Sequence, residues 1–392
     1  MAFPIFQHLH EYLAKKGTLC GASIGWHCHL TDLTEIAAKT IVDLGAQLHL
    51  SECNASTTSA SAVERMRQAG VQVYLGANSA KDVLDKKPLV ISDTGFHLTN
   101  QYLAVADKED NWLVGACEIT TSGITKMRQQ KLSIPVINLN DTTLKSTIEN
   151  FHGVGDGLIE CLSQISDKNF TGRKTAVVGY GQVGAGCAQY LKQIGASVSV
   201  IEKDPIRALR AHYDGYQLES LSEALKSTEL IVTASGQPKV LSLEEWQAAA
   251  DGLLVVNVGH FANELDIASL TRIANRKRIS PAIEEFSVYK GSPKKIYIAT
   301  EGQPANVVLL TGSDEPTLIH LTTEMLALAY LIELHKKGQN LEAGEVALPR
   351  QIEELASLLA LKALNISHNS GQLVNESCAK HDGDLESSTQ TC

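Results

Sequence analysis

KTAVVGYGQVGAGCAQYLKQIGASVSVIEKDP, residues Lys174–Pro205, opens with a short apolar run that reads as a buried strand ending at Gly179. Gly179, Gly181 and Gly184 follow in GxGxxG spacing, and the next dozen residues carry a helical pattern. ASVSVIE then reads as a second strand, ending in Glu202. The first two glycines make a tight turn and let the backbone approach a pyrophosphate, and the third lets helix pack on strand. The helix N-terminus supplies free N–H groups and the positive end of a dipole. Glu202 stands where an acid accepts hydrogen bonds from ribose hydroxyls, which disfavours the extra phosphate of NADP. A glycine-rich packing turn is the bland alternative. Strand, motif, helix, strand and terminal acid in register point instead to a Rossmann unit that holds NAD.

Patterns on either side extend the α/β reading. LTEIAAKTIVDLGAQLHLSECN (33–54) and SAVERMRQAGVQVYLGAN (61–78) each run helix, glycine, strand, and KPLVISDTG (87–95) is a strand entering a loop. Strands separated by helices imply a parallel sheet covered on both faces. Polar residues gather at the strand ends, Ser51 to Asn54, Asp93 to Gly95 and Asn138 to Thr142, where such sheets bind ligands. GSDEPTLIHLTTEMLALAYLIELHKKG (312–338) is a long helix candidate returning to the first unit, with MLALAYLIEL as core or subunit interface. The expected order is a substrate-binding α/β domain over 1–150, a Rossmann NAD-binding domain over 151–311, helices over 312–365 returning to the first domain, and a polar, disordered tail over 366–392. Hinges are expected near 141–155 and 311–315.

Composition narrows the function. The chain has 392 residues, 44% hydrophobic and 20% charged, with a net charge of −10. That charge argues against nucleic acid, which wants a basic face. No apolar run reads as long enough to span a bilayer, and no signal peptide is apparent, so a cytoplasmic protein is expected. Eight scattered cysteines without a CxxC pair read as reduced, mostly buried thiols, with Cys378 and Cys392 exposed on the tail.

Seven segments together resemble the S-adenosylhomocysteine hydrolase family. They are HLT at His29, CN at Cys53, EITTSGITKM from Glu118, PVINLNDTTLKSTIEN from Pro135, the dinucleotide motif, VNVGHFANELD from Val256 and EGQPAN from Glu301. They stand in the family's order over roughly residues 20–365. The resemblance implies a homo-oligomer acting on a small nucleoside or ribosyl substrate. It also implies that bound NAD oxidises a ribose 3′-hydroxyl, that the C4′ proton thereby becomes acidic, that a group leaves C5′, and that the ketone is then reduced. Dehydration or epimerisation could use the same ketone, and a non-catalytic NAD-binding paralogue is the contrasting possibility.

The same resemblance assigns residues. Lys145 and His260 match groups beside the 3′-hydroxyl, and Glu149 stands where the family has an aspartate. His29 and Asp93 match the acid/base pair for the leaving side. Thr120, Thr121, Ser122, Asn150, Gln182, Val183, Ser235, Gly259 and Asn306 join Gly179, Gly181, Gly184 and Glu202 as NAD contacts. Thr31, Leu33, Thr57 and Ile119 fall at substrate-binding positions. Leu33 and Ile119 replace polar residues that read the base and ribose, Val154 replaces a hinge cysteine, and SDEPT replaces a GHPS turn. The family's C-terminal lysine and tyrosine have no match.

Bland readings stand beside these. Lys145 is expected in a loop after a strand, where lysines are mostly solvated. Glu149 could be a helix-face charge, and Asp93 could cap a turn. His29 could be a core histidine. It could also bind metal with His27 and Cys28, but neighbours on a strand point to opposite faces, so no metal is assigned.

Overall fold

Apolar runs build β1 (Ser23–Cys28), β2 (Gln47–Glu52), β3 (Gln72–Tyr74), β4 (Val90–Asp93), β5 (Gly115–Glu118) and β6 (Pro135–Asn138). A second sheet follows: β7 (Lys174–Val178), β8 (Ser197–Ile201), β9 (Gln217–Leu218), β10 (Leu230–Thr233), β11 (Leu253–Asn257), β12 (Ala274–Ser280), β13 (Ile283–Val288) and β14 (Lys294–Ala299). The chain then returns as β15 (Gly344–Ala347), parallel to β6. This computed structural model describes residues 3–105, 111–259 and 262–367.

The first sheet is ordered β15-β6-β5-β4-β1-β2-β3 and is parallel; the second is ordered β12-β13-β14-β11-β10-β7-β8-β9, with antiparallel pairing at β12-β13 and β13-β14. Strands such as LIVT and LLVVN are buried along their whole length, which is why they read as unbroken apolar runs. A Rossmann sheet is thus inserted between two parts of another α/β sheet. Both sheets reverse strand order at a switch point, β1/β4 in the first and β7/β10 in the second. Ligands bind outside the carboxyl ends of strands at such points. His29 follows β1 and Asp93 ends β4, while Gly179 follows β7 and Ser235 lies just past β10.

Three expectations change. Lys145 is not in a loop. It lies in a π-helical segment, Leu144–Gly153, that runs straight into the helix Val154–Ile165. Asn, Asp and Thr before it signal a turn. Packing between the helices Gln182–Gln193 and Asp314–Lys336 supplies what that signal omits. Gly186 permits the close approach, because a Cβ there would sit 2.0 Å from the Phe151 carbonyl oxygen. Second, the returning segment 312–365 is not only helices: β15 lies between Asp314–Lys336 and Arg350–Ala363, and its short, half-exposed GEVA gives little strand signal. Third, Asp314–Lys336 is long and apolar enough to cross a bilayer, with mean hydropathy 1.3, yet 78% of its apolar window is buried inside the protein. Leu318, Leu321, Met325 and Leu328 fill the first sheet's core. His320 and Glu324 interrupt that run, which hid its length.

Four of the described cysteines, Cys28, Cys117, Cys161 and Cys187, are buried free thiols, and Cys20 and Cys53 are half-buried. Beyond Ser367 the expected tail, with Cys378 and Cys392, lies outside the described residues.

Candidate active site and cofactor cradle

The turn after β7 has the shape that its glycines predict. Gly179 has φ +98°, and a Cβ on Gly184 would stand 1.9 Å from the Gly179 carbonyl oxygen, so helix and strand touch through bare backbone. Gly181 caps the helix Gln182–Gln193, and Val183 packs against the core beneath. A Cβ on Gly181 would have only the Arg207 Nη1, 3.8 Å away, as a neighbour, which leaves open space above the helix N-terminus. The amide oxygen Oδ1 of Asn306 is buried without a protein partner. An open backbone cradle with an orphaned amide oxygen suits a dinucleotide. Glu202 is placed as expected at the end of β8. Its carboxylate accepts from the amides of Tyr180 (2.6 Å), Lys203 (2.7 Å) and Asp204 (2.9 Å), with Arg207 Nε at 3.6 Å.

Across the cradle, Glu264 organises the assigned Ser235 and its neighbour Gly236. This buried carboxylate accepts from Ser235 N (3.0 Å), Ser235 Oγ (2.8 Å) and Gly236 N (2.9 Å), and burial pushes it above the usual range. Gly259 N donates to Asn257 Oδ1 at 2.9 Å. His260 lies outside the described residues.

The π-helical crossover joins this cradle to the first sheet. Asn150 Nδ2 donates to Gln182 Oε1 at 2.7 Å, and Gln182 Nε2 reaches the Asn140 carbonyl at 3.4 Å. Thr121 Oγ1 donates to Asn140 Oδ1 at 2.9 Å, so Thr121, Asn150 and Gln182 meet through Asn140. Thr120 caps the helix Thr121–Met127, and its hydroxyl lies 3.2 Å from Ser122 Oγ. One turn before Asn150, Lys145 Nζ meets Glu149 Oε2 at 2.5 Å, both side chains largely covered. Neither is a solvated surface charge. Burial raises the Glu149 carboxyl and Lys145 pulls it back.

At the β1/β4 switch point, His29 Nδ1 lies 2.6 Å from Thr57 Oγ1, so these two assigned residues meet. Thr31 caps the helix Asp32–Asp43, and Leu33 and Ile119 pack against the first core. Asp93 is fully buried and accepts from the amides of His97 (3.0 Å) and Thr99 (2.8 Å), a helix cap in this conformation. Its charge reaches His27 and His97. His27 Nδ1 lies 2.9 Å from Ser51 Oγ. His27 and His29 thus serve different partners.

Sequence reasoning named neither Glu264 nor Glu118, nor the pair His320 and Glu324. Glu118 Oε1 accepts from Gly95 N (3.1 Å), Thr120 N (2.8 Å) and Thr120 Oγ1 (2.6 Å), and Oε2 from Phe96 N (2.8 Å). Burial, then Asp93 beside it, pushes it up to about 8. The available signal was an acid at the end of an apolar strand for Glu118 and inside an apolar helix for Glu324, where charge is costly.

Residues 150–312 match the family model described as S-adenosyl-L-homocysteine hydrolase, NAD binding domain, so the cradle is an NAD site. Over 385 residues the chain is 30% identical to an adenosylhomocysteinase of Aquifex aeolicus (strain VF5), covering 93% of this chain and 90% of that one. It is 28% identical over 375 residues to an adenosylhomocysteinase of Archaeoglobus fulgidus, covering 91% and 90%. Among solved structures, the dipicolinate synthase A chain from Bacillus subtilis aligns over 79% of this chain and 97% of that chain, at 11% identity and a TM-score of 0.41.

Proposed function

The chain belongs to the adenosylhomocysteinase family, and on that premise we propose that it breaks a C5′ bond of a ribosyl substrate by transient oxidation at C3′. The substrate is S-adenosylhomocysteine or a related nucleoside. NAD, held by the glycine turn after β7 with Glu202 and Asn306, would supply a hydride acceptor for C3′ and a hydride donor for the closing reduction. Lys145 Nζ takes the 3′-hydroxyl proton, and the carboxylate of Glu149 aims that amine. The neighbouring carbonyl makes the C4′ proton acidic. His29 and Asp93, at the adjoining ends of β1 and β4, move protons at C4′ and C5′. The thioether sulfur leaves C5′ with its bonding electrons and is protonated. Water then adds to C5′ and a proton returns to C4′. For Asp93 this role requires release of one of its two amide bonds. His260 is assigned beside the same hydroxyl.

One observation carries the reading. The Lys145–Glu149 pair lies one turn from the Asn150–Gln182 contact, so a proton acceptor and the cofactor helix meet on a single segment. Leu33 and Ile119, apolar at substrate-reading positions, favour a second reading on the same chemistry: dehydration or epimerisation of a different nucleoside. The test is the absorbance of reduced nicotinamide in NAD-loaded protein. Adenosine, adenosylhomocysteine, inosine analogues and base-free ribosyl thioethers are added in turn. Reduction by one of them supports the reading and identifies the substrate class. NAD that stays oxidised with all of them would falsify it and favour a non-catalytic NAD-binding protein.

A further inference from the structure

His320 and Glu324 stand one turn apart on the core helix Asp314–Lys336, with side chains 2% and 1% exposed. Leu318, Ile319, Leu321, Met325 and Leu328 flank them on that helix, and the hydroxyls of Thr322 and Thr323 are taken up by the Leu318 and Ile319 carbonyls. Both ring nitrogens of His320 lack a hydrogen-bond partner, and so does Glu324 Oε2. Glu324 Oε1 accepts from Ser92 Oγ on β4. The pair is aimed at the crossover: His320 Nδ1 lies 3.8 Å from Glu149 Oε2, and His320 Nε2 lies 3.7 Å from Glu324 Oε2. Glu149 Oε2 is also the atom that holds Lys145. A row of polar groups, four of them ionisable, therefore runs Lys145, Glu149, His320, Glu324, Ser92. Leucine at both positions would fold better, since unpaired polar groups are costly to bury.

We infer that His320 and Glu324 are positioning residues that exchange one proton with the Lys145–Glu149 pair, so that Lys145 is neutral when a ribosyl hydroxyl arrives. The assignment rests on the reading of Lys145 given above. The steps balance. A proton leaves Lys145 Nζ for Glu149 Oε2 and passes to His320 Nδ1. A different proton leaves His320 Nε2 for Glu324 Oε2. Lys145 is then uncharged and accepts the hydroxyl proton, and the return of hydride to C3′ reverses the shift. Separations of 3.7 and 3.8 Å close by a small side-chain rotation or by one bridging water.

The surroundings fit this role. Burial pushes Glu324 up to about 7, against the pull of Ser92, Lys145 and Trp26, while the charge of Glu149 adds to the rise. Burial and then Lys145 hold His320 neutral. Cys28 on β1 and Cys117 on β5 also feel Glu324. Burial keeps both as protonated thiols, so they do not compete for the proton.

The test uses NAD-loaded protein and pH-dependent infrared difference spectra, without substrate. The buried protonated-carboxyl absorption is expected to lose one component between about pH 6 and 8, distinct from that of Glu118, and that component is expected to be absent in Glu324→Gln and to shift by about one pH unit in His320→Gln. A component unchanged in Glu324→Gln, or unmoved in His320→Gln, overturns the assignment. Should either variant fail to fold, ring-15N spectra of the wild-type protein decide. One histidine must stay neutral yet change shift as that component disappears, and its absence also overturns the assignment. With a reducing substrate, both variants move the pH midpoint of NAD reduction by about one unit and leave KM unchanged. An unmoved midpoint overturns the inference while the oxidation reading stands. NAD that never reduces in wild type overturns the oxidation reading, and the infrared and NMR results still decide whether the pair exchanges its proton with Glu149.

Discussion

Asn150 Nδ2 donates to Gln182 Oε1 at 2.7 Å, which ties the π-helical crossover to the first residue of the cofactor helix. A neutral hydrogen bond of this kind contributes about 1 kcal/mol. Asn150→Ala should therefore release NAD about fivefold faster, and so should Gln182→Ala. The double variant should be little worse than either single one, because both remove the same bond. NAD dissociation followed after dilution checks this. Additive losses would show that each side chain acts separately.

Gly184 and Gly181 should fail differently. A Cβ at Gly184 meets the Gly179 carbonyl oxygen at 1.9 Å. Gly184→Ala should cost about 3 kcal/mol of stability, the upper range for overpacking. Gly181 has φ −72° and open space around it. Gly181→Ala should melt within about 0.5 kcal/mol of wild type, as surface changes do, yet lose NAD because the methyl fills the cradle. Melting curves with and without added NAD separate the two.

Two buried carboxyls set the pH dependence of stability above neutrality. Glu118 is raised to about 8 and Glu324 to about 7. Both bind a proton more tightly folded than unfolded, so the folded state holds more protons between the unfolded value near 4.5 and these raised values. Stability then falls as pH rises across that window. His27, lowered to about 4 by burial against the opposing pull of Asp93, acts in the opposite sense below its unfolded value of 6.5. The interval from pH 6.5 to 8 isolates the carboxyls. The apparent Tm should decline across it, and Glu324→Gln should decline less steeply. A flat wild-type profile there sinks the argument.

Much of this architecture was readable because buried parallel strands and a GxGxxG turn obey local rules. VVGYG fixes a strand, a turn and a helix start by itself, and Glu202 closes the unit. The crossover was not readable. LKSTIEN becomes π-helical through contacts with Gly186 and with a helix more than 160 residues on, and no local pattern carries that. Resemblance supplied Lys145 and Glu149 as residue types, but only folding pairs them. His320 and Glu324 look like blemishes in an apolar helix until their proximity to Glu149 is visible.

Removal of the Lys145 amine should separate folding from chemistry. Lys145→Ala should still bind NAD, since the cradle lies on other residues. Its reduction by a substrate should slow by about 10²–10⁴, the range for a lost general base. The variant should also melt lower, because Glu149 loses its partner in a covered position. Lys145→Ala combined with Glu149→Gln should regain stability and stay slow. Recovery of rate in the double variant would exclude Lys145 as the proton acceptor.

Thr57 offers the complementary test on the leaving side. Its hydroxyl lies 2.6 Å from His29 Nδ1 and also donates to the Asn54 carbonyl at 2.9 Å, so it fixes the imidazole from the floor of a short 3₁₀ turn. Thr57→Val keeps the shape and removes the oxygen, while Thr57→Ser keeps the oxygen. If His29 moves protons at C4′ or C5′, Thr57→Val should slow overall turnover about tenfold, the effect of roughly 1.4 kcal/mol. Reduction of bound NAD in the first half of the cycle should keep its wild-type rate, because Lys145 and Glu149 are untouched. Thr57→Ser should restore turnover. Equal slowing of NAD reduction and turnover would place His29 in substrate binding, and unchanged turnover in Thr57→Val would remove it from the reaction.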